Sequence, residues 1–202
     1  MRSGKIGIID IGMKGNIFSI YKALEYAEAN VGLIRDERDF SRFDKIILPG
    51  VGSFPNAIKS IKRENMLEVI TQNISKKPSL GICLGFQILC QIGYEFQEME
   101  GLNLLKGEVR KLNCNGLIPN MGFKKIQILK DSPILKDINE KDEFYFMHSF
   151  EMINHTDITS ISSYNKHTFV SSVQKENIFG VQFHPEKSRS SGIKLFKNFV
   201  DI

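Results

Sequence analysis

The amino-acid sequence predicts an α/β fold: a mostly parallel central sheet with helices on both faces, plus antiparallel additions. Two observations carry this prediction. In the first half of the chain, short apolar runs rich in β-branched residues alternate with segments of helical periodicity. Parallel strands joined by crossover helices leave that pattern. From residue 107 onwards the character changes, and strand-like runs follow one another with short polar connections that suit hairpins.

Taken in order, Lys5 to Asp10 reads as the first strand, an apolar run closed by Asp10. Residues 17–29 follow with Ile17, Ile20, Tyr21, Leu24 and Ala27 at helical spacing, so one face is apolar. Val31 to Ile34 and Lys45 to Leu48 are the second and third strands, the latter ending in the turn Pro49-Gly50-Val51-Gly52. Residues 56–74 read as helical with a break near Arg63–Asn65, Ser79 to Ile82 as a fourth strand, and Leu84 to Ile92 as a helix directly after it. In the second half, residues 107–112, 123–129, 143–150, 158–164, 169–174 and 179–183 read as strands. A last helix over 191–200 buries Ile193, Leu195, Phe196 and Phe199. Without repeats or a Pro/Gly-rich linker, residues 1–202 are expected to form one domain.

Composition narrows the classes. Hydrophobic residues make up 42% and charged residues 25% of 202, which excludes disordered and collagen-like chains. Apolar runs are too short to cross a bilayer, and the first ends at Asp10 before it could serve as an export signal. A cytoplasmic protein is therefore expected. The three cysteines, Cys83, Cys90 and Cys114, are then expected as thiols, and no Cys/His spacing suggests a metal site. A net charge of +4, without basic runs interleaved with aromatics, gives little reason to expect nucleic acid.

The sharpest local feature is Gly81-Ile82-Cys83-Leu84-Gly85, where a strand becomes a helix. A nucleophile at such an elbow is held exposed on a strained backbone, flanked by small residues that allow close chain approach. The following helix points its positive N-terminal end at the thiol and favours the thiolate. Cys90 and Cys114 lack this setting and read as structural. A thiol nucleophile needs a base and a group to orient it. Of four histidines, His184 stands in Phe183-His184-Pro185-Glu186, where Glu186 can turn back onto the ring. His148, within an apolar strand, is the rival base; His155 and His167 fall in polar stretches and read as solvated. A tetrahedral intermediate needs backbone N–H donors. Leu84 is one source, and the Val51-Gly52 turn a second. Gln87, one helical turn past the elbow, can bind a polar substrate.

With these residues assembled, the chain resembles the class I (triad) glutamine amidotransferases, and within them the glutaminase subunits of imidazole glycerol phosphate synthase. The matching pieces are Ile8-Ile9-Asp10, Gly15-Asn16, Leu48 to Phe54, Gly81 to Gln87, Pro119-Asn120-Met121-Gly122, Tyr145 to Phe150 and Gly180 to Ser188. They span nearly the whole chain in the family's order. The resemblance implies a flavodoxin-like fold and hydrolysis of glutamine without a cofactor. Cys83 would attack the side-chain amide, and His184, oriented by Glu186, would serve as acid and base. Val51, Gly52 and Leu84 would bind the oxyanion, with Gln87, His148, Ser149 and Phe150 near the glutamine. Ammonia would pass to a separate (β/α)₈-barrel synthase subunit in a heterodimer, through a face including Gly15, Asn16, Asn120, Met121, Phe123 and Lys124.

Two segments of that face depart from the family. Its Asp-Tyr-Gly-x-Gly-Asn becomes Asp10-Ile11-Gly12-Met13-Lys14-Gly15-Asn16, with one residue more, and its Pro-His-Met-Gly-Trp-Asn becomes Pro119-Asn120-Met121-Gly122-Phe123-Lys124. The triad pattern is intact. An alternative acceptor therefore stands beside histidine biosynthesis: similar subunits supply ammonia for sugar amidation in surface-polysaccharide or flagellin-glycan synthesis.

Overall fold

The structure, a computed structural model, describes residues 4–11 and 16–202. Its elements run β1 (Ile6–Ile9), α1 (Ile17–Tyr26), β2 (Val31–Ile34), β3 (Lys45–Leu48), α2 (Phe54–Arg63), α3 (Leu67–Lys76), β4 (Ser79–Ile82) and α4 (Leu84–Ile88). There follow β5 (Ile92–Gly93), β6 (Met99–Glu100), β7 (Glu108–Lys111), β8 (Asn120–Lys125), β9 (Gln127–Ile128), β10 (Glu143–His148) and β11 (Phe150–Ile153). The chain closes with β12 (Ile158–Tyr164), β13 (His167–Lys175), β14 (Ile178–Val181) and α5 (Arg189–Val200).

The central sheet has eight strands in the order β2-β1-β3-β4-β14-β13-β12-β9. From β2 to β14 every pairing is parallel, and from β14 outward every pairing is antiparallel. Every residue of β1, β3, β4 and β14 is buried, as expected of parallel strands covered on both faces. Alternation along these strands feeds two cores. Ile6, Ile8, Ile47, Leu80, Ile82, Phe179 and Val181 pack with the apolar faces of α1 and α5, through Leu24, Leu195, Phe196 and Phe199. Ile9, Ile46 and Leu48 point the other way, to Phe54, Ile58, Ile61, Ile70 and Phe86 of α2, α3 and α4. The mostly parallel α/β architecture predicted from the sequence is the one observed.

Several boundaries differ for identifiable reasons. The helix expected over 84–92 stops at Ile88. A returning loop takes the carbonyls that a longer helix would use: Leu102 N–H donates to Ile88 O (2.7 Å), Leu104 N–H to Leu89 O (2.9 Å) and Asn103 N–H to Cys90 O (3.0 Å). Cys90 therefore lies in a bend beyond the helix. The run 143–150 is two strands, because the chain changes sheet at Ser149, whose carbonyl accepts Leu112 N–H (2.9 Å). Before it, β10 pairs with β8 in a two-stranded sheet. After it, β11 joins β7, β5 and β6 in a separate four-stranded sheet. Of the expected hairpin additions, β9, β12 and β13 extend the central sheet as antiparallel strands, while the run at 179–183 supplies β14, which continues the parallel part beside β4. No helix among the described residues is long and apolar enough to cross a membrane.

Candidate active site

The site forms at the carboxyl ends of β4 and β14, where open α/β sheets bind ligands. Cys83 sits between β4 and α4 with φ 53° and ψ −109°, a sparsely populated conformation for a residue with a side chain. Such backbone strain costs of order 1–3 kcal/mol and persists only where the surroundings enforce it. Here the enforcement is visible. Cys83 N–H donates to Val181 O (2.8 Å) of the neighbouring strand. On the other side, α4 lies so close to β3 that a Cβ on Gly85 would stand 1.9 Å from Leu48 O. Only glycine allows that approach, and it turns the Cys83 side chain toward the cavity.

His184 follows β14. Its backbone N–H donates to Tyr145 O (2.8 Å), and Pro185–Lys187 turn at once into a 3₁₀ helix. That turn brings Glu186 back, so that His184 Nδ1 donates to Glu186 Oε1 (2.8 Å). Ser188 locks the loop: its hydroxyl donates to His184 O (2.6 Å) and accepts Tyr145 N–H (2.9 Å). With Nδ1 so engaged, Nε2 is the free ring nitrogen, buried and without a hydrogen-bond partner among the described residues. Burial by itself pushes the imidazole toward neutrality; the Cys83 sulfur and the Glu186 carboxylate overcome it and hold the ring up at about 10. Both Cys83 and His184 line one cavity of about 260 Å³.

Every residue expected to bind the oxyanion or substrate lines that same cavity: Val51, Gly52, Leu84, Gln87, His148, Ser149 and Phe150. Gly52 has φ 107°, a conformation that side chains rarely adopt, so the turn needs glycine there. Gln87, which a helix-surface reading would leave in water, is buried; its Nε2 donates to Phe150 O and to Gln182 Oε1, both at 2.9 Å. His148 has both nitrogens committed. Nδ1 donates to Phe150 O (2.9 Å), and Nε2 accepts from Asn120 Nδ2 (2.8 Å). Burial, chiefly, pushes its pKa down to about 4. A neutral ring with neither nitrogen free is poorly suited to serve as the base.

Three lining residues were not read as site residues from the sequence: Pro119 and Met147, which fall within the motifs quoted above, and Glu95, which falls in none. Glu95 lines the cavity and accepts Phe54 N–H at 2.7 Å, tying the 49–54 turn to the site. Burial raises its carboxyl above the usual range, and the Phe54 bond partly offsets this. Nothing in the sequence singles out Glu95, since Gln91, Gln97, Glu98 and Glu100 stand around it.

The residues expected to face a partner divide. Gly15 lies outside the described residues, and Asn16 immediately precedes α1. Asn120, expected on that face, is instead fully buried, its amide spent on His148. Met121 is 53% exposed. Phe123 packs edge-on against Tyr145 at 5.3 Å, with Arg189 over the Phe123 ring (4.4 Å) and Lys187 over Tyr145 (5.7 Å). Lys124 lies over Tyr164 (4.8 Å). His155 and His167, read as solvated, are half-buried. His167 Nε2 bridges both Glu151 carboxylate oxygens, at 2.8 and 2.9 Å. Cys90 is fully buried, which pushes its thiol up to about 12 and makes it unreactive.

A cysteine on a strand-to-helix elbow, beside a carboxylate-held histidine, on a mostly parallel sheet, defines a class. The chain belongs to the class I glutamine amidotransferases, whose family model, Glutamine amidotransferase class-I, matches residues 8–202. It is similar to the imidazole glycerol phosphate synthase subunit HisH 1 of Campylobacter jejuni, 42% identical over 201 residues that cover 98% of this chain and 100% of the relative. It is also 41% identical over 199 residues to the subunit HisH of Caldanaerobacter subterraneus, covering 98% of each chain. Among solved structures, PurLQS from Thermotoga maritima superposes with a TM-score of 0.76 at 19% identity, covering 98% of both chains. A second solved structure, of a glutamine amidotransferase, gives 0.75 at 13% identity, over 98% of this chain and 99% of the other. At those identities the structures speak for the fold alone.

Proposed function

We propose that this chain is the glutaminase subunit of an imidazole glycerol phosphate synthase. It hydrolyses glutamine to glutamate and ammonia, and hands the ammonia to a cyclase subunit in histidine biosynthesis. The observation that carries this reading is the free Nε2 of His184 opening, with Cys83, onto one cavity in a chain 41–42% identical to such subunits end to end. The relatives' names favour the histidine pathway over the sugar-amidating alternative.

In this reading the Cys83 proton already rests on His184 Nε2, as the raised pKa of the ring favours, and Cys83 Sγ attacks the side-chain amide carbon of glutamine as the thiolate. The oxyanion is held by the Leu84 N–H and the Val51-Gly52 turn. His184 returns the proton to the departing nitrogen, and ammonia leaves behind a thioester. The same imidazole then takes a proton from water, which attacks the thioester; glutamate departs and the thiol is restored. Glu186 keeps Nδ1 protonated and so directs Nε2 at the chemistry. Glu95 faces the α-ammonium end of the substrate, the one positive charge glutamine carries. Gln87 has spent its N–H groups on Phe150 and Gln182, so Oε1 is what it offers.

The partner is a (β/α)₈ barrel docking on the face that holds Met121, Phe123, Lys124 and Asn16. Exposed Met121, and the half-buried Phe123 and Tyr145 with Lys187 and exposed Arg189 over their rings, the last two following the His184 loop in sequence, support that placement. A barrel seated there stabilises the turn conformation that aims an N–H at the oxyanion. One such donor is worth about 10²–10³ in rate. The test is glutamine turnover by the purified chain, alone and with a cyclase subunit plus its nucleotide substrate. Turnover is expected to be nearly absent alone and to rise at least ~10²-fold in the complex. It should vanish in Cys83→Ala but persist in Cys90→Ala and Cys114→Ala. Ammonia release by the Cys83→Ala complex refutes the nucleophile, and full turnover without any partner refutes the coupling.

A further inference from the structure

We propose that Gln182 is the hydrogen-bond donor that supports the Cys83 sulfur as it becomes negative, and that Gln87 fixes the direction in which Gln182 donates. This rests on the reading of Cys83 as the nucleophile. Gln182 lies between β14 and His184 and is fully buried, with its backbone N–H on Ser171 O (2.9 Å). Its side chain reaches two groups: Gln87 Nε2 at 2.9 Å and Cys83 Sγ at 3.7 Å.

The orientation of these two amides follows from hydrogen-bond valence. Phe150 O can only accept, so Gln87 must present its NH₂ there. The same NH₂ faces Gln182, so Gln182 must present its oxygen to Gln87. Its own NH₂ is thereby left for the sulfur. Four groups thus form one directed series, from the Phe150 carbonyl through Gln87 and Gln182 to Cys83. The sulfur's other neighbour is the Met147 carbonyl, at 3.9 Å. A thiol can use both, donating to Met147 and accepting from Gln182. Once the proton has gone to His184, Met147 O faces a negative sulfur, and beside the protonated ring the Gln182 N–H is the side-chain amide that supports it, in a bond strengthened by the charge. The titratable groups facing the sulfur are His184 and, across the cavity, His148 and Glu95. None of these is altered by a substitution at Gln182.

The experiment measures alkylation of Cys83 by iodoacetamide in the full-length chain as a function of pH, read at the Cys83 peptide by mass so that Cys90 and Cys114 do not contribute. Gln182→Met removes the donor. Gln182→Glu keeps the acceptor that Gln87 needs but turns a carboxylate oxygen toward the sulfur. Both are expected to move the rate–pH curve to higher pH, Gln182→Glu further, with alkylation near neutrality slowed roughly tenfold or more. Gln87→Met leaves Gln182 in place but frees its orientation; a smaller shift in the same direction is expected. It carries the test if a Gln182 variant does not fold. Curves that keep the wild-type midpoint in the folded variants, even with lower rates throughout, overturn the proposal and leave Gln182 a packing residue. Failure of the underlying reading looks different: glutamine hydrolysis then survives Cys83→Ala, whatever the alkylation curves do.

Discussion

His148→Gln isolates a pH-dependent component of stability. In the folded protein the His148 ring is buried, and that burial is the main reason its pKa falls from 6.5 to about 4. The Phe150 carbonyl works the other way by favouring the protonated ring, while His184 and Lys124 add to the fall. Between these two pH values the unfolded chain binds a proton that the native chain refuses. Lowering the pH through that window therefore favours unfolding. The stability in question is fully present above pH 6.5 and lost as the pH approaches 4. At about 1.4 kcal/mol per pH unit, the shift corresponds to about 3 kcal/mol. His148→Gln leaves a donor and an acceptor at the position but nothing that titrates. Urea unfolding of both proteins is measured from neutral pH down to about 4.5, where most of this contribution is gone. The wild type should lose about 2–3 kcal/mol more than the variant over that range, other titrating groups cancelling in the difference. Parallel loss in the two proteins would refute the reasoning, show that His148 takes a proton in the native state, and reopen it as the base.

Two further outcomes are expected. His184→Ala should lower kcat of the complex by on the order of 10³-fold or more, whereas Glu186→Gln, which disturbs only the orientation of the ring, should cost less; steady-state kinetics check the order, and a larger loss in Glu186→Gln contradicts the division of roles. Gly85→Ala should destabilise by at least the roughly 1–3 kcal/mol typical of overpacking, because the new methyl meets the Leu48 carbonyl at 1.9 Å. A urea midpoint and turnover unchanged from wild type would mean that α4 is not pinned to β3.

What the sequence by itself determined is what neighbours along the chain decide. Short apolar runs set β2, β3 and β4, and alternation set β12, at the bounds observed; β3 and β4, buried along their whole length, need an unbroken run. The glycines around Cys83 forecast the elbow, since their lack of a side chain is what lets α4 and β3 approach. The short spacing from His184 to Glu186 forecast a contact that one 3₁₀ turn can close. The tertiary structure decided what depends on a partner far off in sequence. The loop at 102–105 ends α4, by supplying N–H groups to carbonyls that would otherwise continue the helix. Glu95 joins the cavity because its carboxylate is drawn to the Phe54 N–H, 41 residues away. Asn120 turns inward to His148 across 28 residues, although its motif had suggested a surface. The difference between His184 and His148 arises in the same way. Both sit beside apolar strands, but Asn120 and Phe150 occupy both nitrogens of His148, and Glu186 leaves one nitrogen of His184 free. Local pattern encodes local backbone geometry; which side chain is left with an unspent donor or acceptor depends on every chain segment that folds around it.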